Sequence, residues 1–125
     1  MSAMPPESFS PAAPPRPAGL AEHWAAIHEA AAVVAALAGQ AGPPLDGPAR
    51  AFPAAIVQAG GQRLAVARRG VEDLSAILET GLRALLSLHG RGTGIRSAAA
   101  TLYGEFSAAR DSLVALAPPE RRPLA

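Results

Sequence analysis

From Val57 to Leu88 the apolar and small residues recur at alternating steps of three and four: Val57, Gly60, Leu64, Ala67, Val71, Leu74, Leu78, Gly81, Leu85 and Leu88. Steps averaging about 3.5 residues hold one stripe on one side of an α-helix, so this stretch is built to lay a long narrow face against another helix or an apolar surface. Two flanking stretches repeat the pattern. Leu20, Trp24, Ile27, Ala31, Val34 and Ala38 form one stripe, and Ile95, Ala99, Leu102, Phe106, Ala109, Leu113 and Leu116 form another.

Breaker residues divide the three stripes. Gly39, Gly42, Pro43 and Pro44 end the first, and the segment through Pro48 reads as a loop. Asp46 can cap a turn at Pro48, but Pro53 suits the first turn of the long helix, where its missing donor costs nothing. The Gly90–Gly94 segment makes the second break, with Thr93 as the expected N-cap of the last helix. The expectation is an all-α protein of three amphipathic helices, near 19–39, 52–89 and 94–117, folded as a helical hairpin or small bundle. Its weak points are Gly60, Gly61 and Gly70, each costing up to about 1 kcal/mol against Ala inside a helix. The helical domain spans 19–117. The prolines of 1–18 predict a disordered arm, and 118–125 a disordered tail.

Composition supports helix and limits chemistry. Alanine is about a quarter of the 125 residues, and it is the best helix former because it loses no rotamer freedom. Alanine also buries little area, so a chain this short is expected to associate with itself or a partner. Arginine carries all the side-chain cations other than histidine, which fits a GC-rich bacterial coding bias. The net charge of +1 gives no field for nucleic acid. Without cysteine there is no disulfide, thiol catalysis or cysteine zinc site, as suits a cytoplasmic protein. Ala30–Ala38 is the most apolar run, too short for a membrane span, and it begins too late, behind too many acids, for an export signal.

No constellation of nucleophile, base or ligands stands out, so no enzyme, cofactor or metal is expected. His23 and His28 lie about 500° apart around a helix and do not share the face a metal pair would use. The Gly90–Gly94 stretch lacks the Lys-Ser/Thr ending of a phosphate loop and reads as an interhelical turn. Arg69 with Asp73 and Glu79 with Arg83 have the spacing of surface ion pairs. The core is expected to hold Trp24, Ile27, Leu74, Leu78, Leu85, Leu102, Phe106 and Leu113. Gly60 and Gly81, at stripe positions, allow close approach of a neighbouring helix. Over the last half of the long helix, Ile77, Leu82 and Leu86 lie beside the stripe and widen it. The expected surface for a partner or an apolar interface is therefore Val71, Leu74, Ile77, Leu78, Leu82, Leu85 and Leu86.

The layout from Phe52 to Ala117 resembles the phasin family, small helical proteins of polyhydroxyalkanoate storage granules. The resemblance lies in the proline start, the stretch Gln58-Ala59-Gly60-Gly61-Gln62-Arg63-Leu64, the helix Val71–Leu88, a short break, and the segment from Thr101-Leu102-Tyr103 to Leu116. It implies a coat on the polyester granule surface, with Val71, Leu74, Leu78, Leu82 and Leu85 against the polymer and Arg68, Glu72, Glu79 and Arg83 in water. The alternative is a cytosolic helical adaptor or oligomerisation module that binds a protein helix. The two differ in whether the apolar faces stay exposed or close on one another.

Overall fold

The computed structural model describes residues 19–118. Those residues form four helices, α1 (Leu20–Leu37), α2 (Gly47–Ala59), α3 (Gly61–Gly90) and α4 (Arg96–Val114), and no strand. The all-α expectation holds; the number of helices does not. Helices α1, α3 and α4 pack on one another, and the shorter α2 lies against all three. The proline-rich arm and all but the first residue of the tail lie outside the described residues.

The expected second helix is two helices. Gly60 and Gly61 take φ of +61° and +56°, a left-handed pair that a chain with β-carbons resists, and the helix axis is interrupted there. The first of the two also begins earlier than residue 52. Asp46 is extended at φ −141°, ψ 175°, and its carbonyl accepts from the Ala49 and Arg50 amides at 3.1 and 3.2 Å. Pro48 thus occupies the first turn, where no donor is needed. Pro53 falls inside the helix instead.

An interior proline leaves the carbonyl four residues back without its helical donor. Here that carbonyl belongs to Ala49, a buried residue, and the Trp24 indole N–H of α1 donates to it at 2.7 Å. The Trp24 ring also packs on Phe52, with centroids 4.3 Å apart. The gap that Pro53 opens in α2 is therefore the place where α1 is fastened.

The other ends follow ordinary capping rules. At Gly19 the amide donates to the Glu22 carboxylate at 2.6 Å, half of a capping box. Gly39 (φ +75°) closes α1: its amide reaches the Ala36 carbonyl, and the Gln40 amide the Ala35 carbonyl at 2.8 Å. Gly92 and Thr93 do the same for α3, donating to His89 and Leu88. Thr93 is therefore the end of α3 and not the cap of α4, whose N-cap is the buried Ile95.

Of the expected core, Trp24, Ile27, Leu74, Leu78, Leu85, Phe106 and Leu113 are buried; Leu102 is half-buried against them. Small residues on α3 bring α4 close. A β-carbon at Gly81 would lie 2.7 Å from Leu102 Cδ2, and one at Gly70 2.5 Å from Leu113 Cδ2. Gly81 thus has the close-approach role expected of it, Gly70 shares it, and Gly60 serves as the break.

Leu78 is 1% exposed, so Leu78→Ala is expected to cost about 2–5 kcal/mol in chemical denaturation. Trp24→Phe keeps the ring contact but orphans the Ala49 carbonyl, at an expected cost of about 1–3 kcal/mol. In a Pro53→Ala background the restored backbone N–H fills that carbonyl, so the same substitution should cost measurably less. A double-mutant cycle on these two positions checks the link.

Candidate functional site

Burial sorts the seven residues expected to form a binding surface. Val71, Leu74, Leu78 and Leu85 are in the core, Leu82 is half-buried, and only Ile77 (53%) and Leu86 (48%) are exposed. The physical reason is that α1 and α4 close over the stripe from its two sides. At about 100° per residue, Ile77 and Leu86 also stand about 180° apart around α3, so they belong to different faces. The widened stripe is not one surface.

Leu45, Val57, Val66 and Ile77 are exposed one by one elsewhere, and a further apolar opening lies along α1. A groove between α1 and α3 is lined by Ala26, Ile27 and Ala30 from one helix and Leu78, Leu82 and Leu86 from the other. Glu79 and Arg83 stand at its edge as an ion pair of 3.9 Å, with side chains 72% and 75% exposed. The pair expected between Arg69 and Asp73 does not form. Beyond the groove the outer side of α1 exposes Ala25, Ala26, Ala32, Val33 and Ala36, with the carboxylates of Glu22 and Glu29 among them toward its first half. The groove floor is made where Ala26 and Ala30 are too short to reach across to Leu82 and Leu86.

Behind this face sits a buried polar junction. His28 Nδ1 is 2.7 Å from the Trp24 carbonyl. A carbonyl only accepts, so Nδ1 carries the proton and the neutral ring presents Nε2 as an acceptor. That nitrogen meets Arg110 Nη1 of α4 at 3.5 Å, and the same Nη1 donates to the Pro44 carbonyl at 2.9 Å. Phe106 packs edge-on against the imidazole, with centroids 5.6 Å apart. Four parts of the chain meet there: α1, the loop after it, α2 through Trp24, and α4.

Both imidazole nitrogens are engaged and one faces a cation, so His28 is not offered to a metal. Among the described residues no three His, Cys, Asp or Glu side chains gather as a metal site. The Gly92 and Thr93 amides are spent on α3 carbonyls, which leaves no phosphate cradle between α3 and α4. A shallow second depression beside Arg110 is rimmed by the Asp46 and Asp111 carboxylates and offers no charge preference to an anion. No described helix is long and apolar enough to cross a membrane.

The junction was only partly legible in the sequence. Trp24 and His28 stand four apart on one helix face, which is the available signal. Nothing local shows that Arg110, 82 residues later, would meet them.

Together the described residues define an all-α bundle with an apolar groove between α1 and α3 and a buried polar junction, in which Arg110 Nε has no hydrogen-bond partner. Comparison with protein-family models, curated proteins and solved structures finds no match to this chain.

Burial holds the His28 imidazole pKa below 6.5; the Arg110 charge adds to the effect and the hydrogen bond to Trp24 opposes it. A depressed pKa means that, as pH falls below about 6.5, the unfolded chain takes up a proton before the folded one does. Stability is therefore full at neutral pH and drops on acidification. Melting temperature is expected to fall between pH 7.5 and about 5.5. His28→Gln, although less stable at pH 7.5, should show a flatter profile across that window.

Proposed function

We propose that this chain is a non-enzymatic helical binding module, an adaptor or oligomerisation unit that receives a protein partner on the face formed by α1 and α3. The observation that carries it is the exterior of α1. From Ala30 to Ala38 the helix and its cap hold no polar side chain, yet Ala32, Val33 and Ala36 face outward, Val33 at 44% exposure. A helix apolar on all sides is normally covered on all sides. The described residues cover only the side toward α2, α3 and α4.

The closed bundle favours this over a polyester coat. Adsorption through Val71, Leu74, Leu78, Leu82 and Leu85, as the phasin resemblance implies, requires α3 to leave α1 and α4 and gives up a core in which four of those five are buried.

Trp24 is the sole tryptophan and reports the closed state. Mixed with polyhydroxybutyrate particles at low and moderate salt, the protein is expected to stay in the supernatant with unchanged Trp24 emission. Co-sedimentation would overturn the protein-binding module in favour of a coat. A shift in emission would then identify the buried stripe as the adsorbing surface, and an unchanged emission the outer face of the intact bundle.

A further inference from the structure

We infer that the groove between α1 and α3 is filled by a second copy of this chain, packed two-fold with its α3 antiparallel, so that Glu79 of each copy meets Arg83 of the other. This names the partner of the module proposed above and rests on that proposal. The groove supplies the apolar area, and the charges along its α3 edge select the occupant.

The flank of α3 that borders the groove carries Arg68, Glu72, Glu79 and Arg83, all exposed. Their charges sum to zero, so neither an acidic nor a basic partner, nor an anionic surface, gains net attraction there. A copy of the same flank does gain, in a restricted set of arrangements. A parallel two-fold would set Glu79 on Glu79 and Arg83 on Arg83. An antiparallel two-fold centred between residues 75 and 76 would set Arg68 on Arg83 and Glu72 on Glu79. Both repel. Opposite charges pair in antiparallel two-folds centred between residues 73 and 74 (Arg68 on Glu79), between 77 and 78 (Glu72 on Arg83) and on Gly81 (Glu79 on Arg83, at both equivalent contacts), and the position of the groove chooses the last.

The apolar surface has nearly the same centre. On α3 the groove runs from Ser75 to Leu86, so its midpoint falls between Thr80 and Gly81. In this register the half-exposed Leu86 of each copy lies level with Ala76 of the other, beside Ser75 and Leu78 at one end of the groove. The exposed ion pairs fix orientation and register, while apolar burial supplies the affinity.

Light scattering across low to high micromolar concentrations should give twice the 12.6 kDa chain mass. Glu79→Arg alone places arginine against arginine at both contacts, and Arg83→Glu alone places glutamate against glutamate. Each is expected to weaken self-association by at least about tenfold. Both positions are solvent-exposed, and circular dichroism verifies that each variant keeps its helices. An equimolar mixture of the two variants pairs opposite charges at both contacts and should recover wild-type association as a heterodimer. The combined variant Glu79→Arg/Arg83→Glu should also recover it.

A wild-type monomer across the range overturns the inference, as do single variants that associate like wild type or a mixture that stays monomeric. A monomer that ignores polyester particles leaves the module with a different partner. A monomer that sediments with them overturns the module as well.

Discussion

The hydrogen bond from the Trp24 indole to the Ala49 carbonyl is the contact on which the arrangement of this bundle depends. Pro53 removes the helical donor that carbonyl would otherwise receive, and a buried carbonyl without a donor is costly. Trp24 satisfies it from another helix. The same tryptophan stacks on Phe52 and offers its own backbone carbonyl to His28, so one residue ties α1 to α2 and leads on to α4 through Arg110. Helix α2 consequently sits where α1 can reach it, and α3 leaves from the glycine pair at its end.

On the other side of the core, contact is made by size rather than by polarity. Gly70 and Gly81 let Leu113 and Leu102 approach the α3 backbone, drawing α4 in closely. Alanines on α1 have a different result. Ala26 and Ala30 also present little bulk, but the side chains opposite them, Leu82 and Leu86, do not close over them, and a groove remains. Small residues thus produce a tight seam on one flank of α3 and an opening on the other.

That asymmetry sets what the protein offers to the outside. The long stripe of α3, the most conspicuous apolar feature of the chain, is consumed in making the bundle. Apolar surface remains on α1, whose all-apolar second half exceeds what the described core covers, and singly at Val57, Val66 and Ile77. A polar junction behind it, neutral at His28 and cationic at Arg110, couples the placement of α1 to protonation.

The sequence by itself determined the helical class, the stripes and most of the core, because a period near 3.5 residues and an alanine-rich composition act locally and need no knowledge of neighbours. Gly39 as the end of α1 was legible for the same reason: a left-handed residue is needed there whatever packs nearby. The start of α2 and the position of Pro53 were not. When the carbonyl vacated by a helical proline is buried, as at Ala49, another group must fill it, and that group, Trp24, lies 25 residues earlier. The fate of Val71, Leu74, Leu78 and Leu85 likewise depended on whether α1 and α4 close over one stripe, which a single helix's periodicity does not encode. Only tertiary structure buried the stripe of α3, left the exterior of α1 uncovered, and brought Arg110 to His28. Each of these depends on contacts between residues far apart in the chain.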